Sequence, residues 1–354
     1  MSLDPIAKFQ PEQRNAIEAF DVPQNLTYNW EYDNDRKRLA RLYENAKRDQ
    51  WNSTERLDWS IDVDPEKGLM PDAAIGIFGT DIWQKLDAKQ IERLRHEAVT
   101  WQLCQFLHGE QGALLATAQI VDSVPWYEGK QYGATQVMDE ARHVEVYRRF
   151  IQEKLGNQYD VNPELKKLLD QILADSRWDM KFLGMQIIVE GLALAAFGTM
   201  RDTTTNSLLR DLTAAVMEDE SRHVAFGVLS LREYCADLTE KEKIEREEFI
   251  YEACVLMRDR IQSREVWERM DLDPELCIEH SEKSGIAAQF RHRLFSKIVP
   301  NVKSLGLLSD RQRERFHQLD VLQYEHETTS DVEHDIEIEQ RVRAGEIDPA
   351  TLAS

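Results

Sequence analysis

The pentapeptide Asp139-Glu140-Ala141-Arg142-His143 returns 80 positions later as Asp219-Glu220-Ser221-Arg222-His223, and two upstream glutamates, Glu110 and Glu190, keep the same interval. The chain therefore carries, in order, Glu, Glu-x-x-His, Glu, Glu-x-x-His. On a helix, residues three apart are separated by about 300° of rotation, roughly 60° the short way round, so each Glu-x-x-His leaves one face within one turn. Such a pair can grip one ion. A dinuclear site inside a four-helix bundle takes one Glu from each of two helices and a Glu-x-x-His from each of the other two. That inventory is complete here, and it restricts the chain to an all-α fold with two equivalent halves.

One Glu-x-x-His alone would mean little, because Glu is common on helix surfaces and His is often simply packed. The upstream glutamates decide the matter. Glu110 follows Leu103, Phe106 and Leu107, and Glu190 interrupts the apolar run from Ile187 to Leu194. A carboxylate buried there without a partner is expensive, and four of them without a cation repel one another. Two divalent ions neutralise four glutamates, and carboxylate-plus-imidazole donors suit iron or manganese. Glu110, Glu140, His143, Glu190, Glu220 and His223 are the expected metal ligands and catalytic residues. His108 leaves another face than Glu110 and is read as no ligand.

The connections fit the same plan. A helical pattern runs from about Asp87 to Asp122, Pro125 breaks it, and Glu110 and Glu140 lie equally far on either side of that proline, which brings them to one height on antiparallel helices. Glu190 and Glu220 are likewise equidistant from Thr205, within the turn-and-cap segment Arg201 to Ser207. Between the hairpins, Gly156 to Pro163 and a helix starting at Asn162 make a long crossover before the third ligand helix near Asp175. Thr239 and Glu242 form a capping pattern for a further helix, with more helical stretches at 279–298 and 310–325. The expected layout is an N-terminal extension over 1–86, a ferritin-like four-helix bundle with its dinuclear site over 87–235, and flanking C-terminal helices with an acidic tail, Asp331 to Glu339, over 236–354. Leu39, Leu42 and Tyr43 mark a surface helix, Asp21 to Asn25 a loop, and Trp51 and Trp59 a plug over the edge of the core.

A formal charge of −21 makes nucleic acid or an anionic membrane an unfavourable partner. Cys104, Cys235, Cys254 and Cys277 show no Cys-x-x-Cys spacing, and Met1 to Pro5 show no export signal, so a cytoplasmic protein with reduced cysteines is expected. The apolar run at Ile187 to Gly198 is short and contains Glu190; it reads as a buried helix, not a membrane span.

Residues beside the ligands repeat as well. Asp139 and Asp219 stand one turn from the motif histidines and are expected to accept the second imidazole N–H, with Arg142 and Arg222 pairing with them. Helix phase suggests a pocket lined by Gln111, Ala113, Leu114 and Thr117 after the first Glu, Gln136 and Tyr147 around the second, and Ala193, Leu194 and Phe197 after the third. Gly227, the counterpart of Tyr147, would leave room for substrate.

With its duplicated Asp-Glu-x-Arg-His, the span from about Trp51 to Tyr234 resembles the ferritin-like di-iron carboxylate superfamily, especially multicomponent monooxygenase hydroxylases, ribonucleotide reductase small subunits and their oxidase relatives. The resemblance implies Glu110, Glu140 and His143 on one iron and Glu190, Glu220 and His223 on the other, some glutamates bridging. Manganese or a mixed manganese–iron pair is compatible, and O2 is the implied co-substrate. The expected activity is O2-dependent hydroxylation, epoxidation or desaturation of a small organic or carrier-bound substrate, supported by an electron-donor protein; bundles of this type commonly pair as homodimers. A ferroxidase or peroxidase would use the same ligands. So would a radical generator, since Tyr147 is placed as the radical tyrosine of the reductase small subunits, although Glu110 replaces their usual Asp and no coupling tyrosine follows Tyr324. Ala113 and Met185 do not support the Val–Tyr crosslink of the ligand-binding oxidases. Val216 stands where the N-oxygenase relatives carry a third histidine, which counts against that branch.

Overall fold

The 80-residue duplication becomes two helical hairpins packed side by side. The computed structural model describes residues 22–33, 35–64 and 68–327; the acidic tail from Asp331 to Glu339, the segment Met1 to Pro5 and Asp21 of the expected first loop lie outside them. Its principal helices are α1 (Lys37–Arg48), α2 (Ala88–Ser123), α3 (Tyr127–Phe150), α4 (Pro163–Ala174), α5 (Trp178–Thr203), α6 (Ser207–Ala236) and α7 (Glu240–Arg260). Shorter ones follow: α8 (Arg264–Arg269), α9 (Pro274–Ser284), α10 (Ile286–Phe295), α11 (Ile298–Ser304) and α12 (Asp310–Gln318). No strand occurs among the described residues.

Local chemistry sets the ends of the ligand helices. Asp87 and Gln90 form a reciprocal capping box that starts α2. Val124 and Pro125 end it, and α3 returns antiparallel from Tyr127. Asn162 accepts amide hydrogens from Glu164 and Leu165, and Pro163 takes the first position of α4, where its missing N–H costs nothing. Asn206 caps α6 by accepting from the Leu209 amide at 2.9 Å.

Helix α5 is the interior element. Every residue from Asp179 to Leu192 is buried, because α2, α4, α6, α7, α10 and α11 cover it from different sides. A helix apolar all round belongs inside. By length and composition it could cross a membrane, yet 78% of its most apolar window is buried in the protein. The buried Arg246–Asp179 pair, 2.9 Å, ties α7 to α5.

Two expectations change. The helix expected on the surface, α1, lies over α3 and α6 and buries Leu39, Leu42 and Ala46. The stretch expected at 279–298 is divided, because Gly285 adopts φ 77° and ends α9 before α10 begins.

Candidate metal centre

Helices α2, α3, α5 and α6 each deliver one glutamate to the bundle interior, and α3 and α6 each add a histidine one turn on. All six residues are buried. The Glu190 end depends on a detail that periodicity does not show. From Leu183 to Val189 the backbone of α5 widens into π-helical turns, and regular α-helix resumes at Glu190. Such bulges re-aim side chains and often sit at functional sites.

His143 Nδ1 lies 3.2 Å from Glu220, 3.3 Å from Glu110 and 3.5 Å from Glu140. His223 Nδ1 lies 3.1 Å from Glu140 and 3.5 Å from Glu220. Donor atoms of Glu110, Glu140, His143 and Glu220 fall within 4.8 Å of one another, as do those of Glu140, Glu190 and His223. The expected division is thereby adjusted: Glu220 joins the first group, Glu140 belongs to both, and Glu110 and Glu190 take the two ends. Gln136 Nε2 donates to both Glu140 and Glu190 at 3.0 Å, spanning α3 and α5.

The cluster as a bare set of charges is strained. Burial, reinforced by the Glu220 carboxylate, pushes Glu110 well above the usual carboxylate range, and burial with Glu220 and Glu140 does the same to Glu190. Burial also acts on Glu140, but His223 and His143 outweigh it and hold that carboxyl well below its ordinary value. The histidines mirror this: burial opposes their charge, and the surrounding carboxylates nonetheless raise both well above an ordinary imidazole. Glu140 Oε2, Glu190 Oε2 and both Glu220 oxygens are buried without a hydrogen-bond partner. Buried acceptors left over in this number, around imidazoles that present Nδ1, fit divalent cations, whose binding would displace the shared protons.

The flanking charges cross over. Asp219 Oδ2 lies 3.1 Å from His143 Nε2, and Asp139 Oδ2 lies 3.3 Å from His223 Nε2, so each aspartate serves the histidine of the other repeat. Arg142 donates to Asp139 at 2.5 Å and to Asp219 at 2.8 Å, while Arg222 pairs with Asp219. Trp51 is more than the expected plug. Its indole Nε1 donates to Asp219 Oδ2 at 2.8 Å, and the Arg142 guanidinium sits 4.7 Å from its ring centroid. Gln50 accepts from Arg142 and donates to Asp139, both at 2.8 Å. Nothing in the local sequence marks Gln50 for this role. His108 instead meets the Tyr159 carbonyl at 2.9 Å.

A cavity of about 440 Å³ reaches the cluster, and Glu110, Glu190 and Glu220 form part of its wall. Ala113, Ala193 and Phe197 line it as expected. Gln111, Leu114, Thr117, Gln136, Tyr147, Leu194 and Gly227 do not, which corrects the helix-phase reading. The space lies between α2 and α5 and is closed by α7, α8 and α10, so α3 contributes nothing to its wall and α6 only Glu220. Tyr147 packs behind the wall against Phe106 and Phe197. Gly227 leaves no room for substrate: a Cβ there would lie 2.6 Å from Gln186 Cβ. Gln111 is exposed.

The family described as p-aminobenzoate N-oxygenase AurF matches residues 33–306. No curated protein matches the chain. Among solved structures, a protein with aldehyde deformylating oxidase activity from Synechococcus is 18% identical, with 63% of this chain and 96% of that one covered and a TM-score of 0.47. Two variants of an R2-like ligand-binding oxidase with anaerobically reconstituted Mn/Fe cofactor are also similar. One is 21% identical, with 75% of this chain and 94% of that one covered and a TM-score of 0.46; the other is 19% identical, with 78% and 94% covered and a TM-score of 0.47. The family match reverses the weight placed on Val216. That residue is fully buried and apolar one turn before Glu220, a departure from the third histidine of the N-oxygenase relatives but not an exclusion from the family.

Proposed function

The chain belongs to the p-aminobenzoate N-oxygenase AurF family of di-iron oxygenases, and from that premise we propose that Glu110, Glu140, His143, Glu190, Glu220 and His223 hold two iron ions beside a cavity in which a small organic substrate is oxygenated. The observation that carries this reading is the junction of cavity and cluster: an apolar space runs directly onto Glu110, Glu190 and Glu220. A protein that only stores or oxidises iron has no use for such a space.

When bound, the irons supply the electrons that reduce O2 and so generate the oxidant. The rest is the work of side chains. Trp101, Phe106 and Phe197 wall the cavity with apolar surface that excludes water from the reacting centre. Gln136 fixes the carboxylates of Glu140 and Glu190 relative to each other. Asp219 and Asp139, accepting from Nε2 of His143 and His223, hold each imidazole as the tautomer with Nδ1 free toward the cluster. Arg142 pairs with both aspartates and Arg222 with Asp219, so each buried carboxylate has a cation beside it.

The radical-generating alternative is less well supported, because the buried Tyr147 hydroxyl has no hydrogen-bond partner to receive its proton. A manganese–iron pair is compatible with the same donors. An electron-donor protein would return the irons to the ferrous state between turnovers. A homodimer is a common form for such bundles, and a cytoplasmic setting fits four cysteines that are all free and buried.

The test is anaerobic loading with ferrous iron, metal analysis, and exposure to 18O2 with a substrate panel led by arylamines and extended to larger aryl and acyl compounds. Two irons per chain and an organic product carrying the heavy isotope are expected. Stoichiometric iron oxidation that never yields an oxygenated product would move the assignment to iron handling, and failure to bind iron or manganese would end it.

A further inference from the structure

Three arginines line the cavity, and two are committed elsewhere. Arg95 makes a bidentate pair with Asp72 at 2.6 and 2.7 Å, and Arg293 reaches Asp202 at 3.3 Å. Arg260, the last residue of α7, is different. Its one hydrogen bond from the guanidinium goes to the sulfur of Met257 at 3.6 Å, and it has no ion pair among the described residues. The acid whose charge it feels, Glu265, is engaged by Trp101 Nε1 at 3.0 Å and Asn162 Nδ2 at 2.8 Å. Burial lowers the Arg260 pKa to about 10, which still leaves the group charged at neutral pH.

A guanidinium without an ion pair in a largely apolar cavity is costly, and a fork of donors has a natural complement in a planar anion. The carboxylates at the cluster do not meet that need. Four glutamates balance two divalent ions, so the loaded centre leaves Arg260 as the one cavity arginine that no carboxylate meets at ion-pair distance among the described residues, with Glu265 acting on it only across a longer gap. The protein's net charge of −21 gives an anion no general attraction, which makes a local cation the means of choosing one.

We propose that Arg260 anchors the anionic head group of the substrate, whose apolar body lies along Trp101, Phe106, Phe197 and Trp267 toward the carboxylate cluster. The substrate class is thus an organic anion with an apolar body, and a cavity of about 440 Å³ has room for a body larger than one aromatic ring. This assignment rests on reading the cavity as the substrate site. It places substrate choice on a residue outside the four ligand helices, where α7 turns toward α8.

The experiment is calorimetric titration of the iron-loaded protein, kept anaerobic, with decanoate and with its neutral counterpart decanol. The wild type is expected to bind decanoate at least about tenfold more tightly, the scale of a charge-assisted hydrogen bond in a dry site. Arg260→Met should erase that preference while leaving decanol affinity unchanged, and Arg260→Lys should keep part of it. Absence of the preference in the wild type, or its survival in Arg260→Met, would overturn the assignment. Iron content is measured on the same samples: loss of iron binding in the wild type would count against the di-iron function, whereas two irons per chain with no anion preference would count against Arg260 alone.

Discussion

Replacing Asp219 with Asn separates the charge of this residue from its shape. The Asp219 carboxylate is 1% exposed and meets His143 Nε2 at 3.1 Å, Arg142 at 2.8 Å, Trp51 Nε1 at 2.8 Å, and Arg222. Burial would raise its pKa, but His143, Arg222 and Arg142 hold it well below the ordinary carboxylate range, so it is the anion that makes these contacts. Asn keeps an oxygen for the imidazole N–H while removing the charge that strengthens the bond about twofold. Outer partners of ligating histidines are worth about 10- to 100-fold in metal affinity. With one acceptor retained, the expected loss is about tenfold, close to 1.4 kcal/mol, and it should fall on the ion held by His143. Arg142 keeps Asp139 and Gln50, and Arg222 keeps the Glu218 carbonyl, so the fold should survive. Anaerobic Mn(II) titration against a competing chelator, fitted for two sites, reads the affinities separately, and circular dichroism checks folding. Asp139→Asn should weaken the other ion, because the pairing is crossed. A folded Asp219→Asn protein with both affinities unchanged, or with equal losses at both sites, would refute the positioning argument.

Gly227→Ala should lower the thermal midpoint by several degrees, since the new methyl group would lie 2.6 Å from Gln186 Cβ and overpacking costs about 1–3 kcal/mol; an unchanged midpoint would show that Gln186 can move aside freely. Ala193→Phe should abolish substrate oxidation without reducing iron content, because Ala193 lines the cavity and is not one of the grouped donors; full turnover in that variant would place the substrate elsewhere. Lys181, fully buried and donating to the Ile172 and Leu173 carbonyls, has its pKa lowered by burial to about 8. Its folded value is below the unfolded 10.5, so the unfolded chain holds more protons between them and stability rises with pH through that window. Wild type should therefore gain about 3 kcal/mol relative to Lys181→Met between pH 7 and pH 10.5, measured by urea unfolding, and parallel pH profiles would count against a Lys181 pKa lowered by burial.

Some of this was readable without coordinates because the information is local and repeated. A spacing of three on a helix puts Glu140 beside His143 in any fold that keeps the helix, and equal arms about Pro125 and Thr205 set the heights of Glu110 and Glu190. Burial of α5 was legible in the apolar residues on both sides of Glu190, since no exposed helix would carry such a run. The aspartates and arginines beside the motifs stood out because each occurs twice.

What the tertiary structure decided was everything that depends on the rotation and approach of one helix relative to another. Side chains three or four apart share a face, but which neighbour that face meets is not encoded in the spacing. Thr117, Gln136, Tyr147, Leu194 and Gly227 were therefore expected on a cavity whose wall they do not form. For the same reason the aspartates serve the histidines of the opposite repeat, and Trp51 and Gln50, far away in sequence, complete their surroundings. Arg260 shows the limit most clearly. Its lack of a carboxylate partner is a property of what α7, α8 and α2 bring near it, so it exists only once the chain has folded.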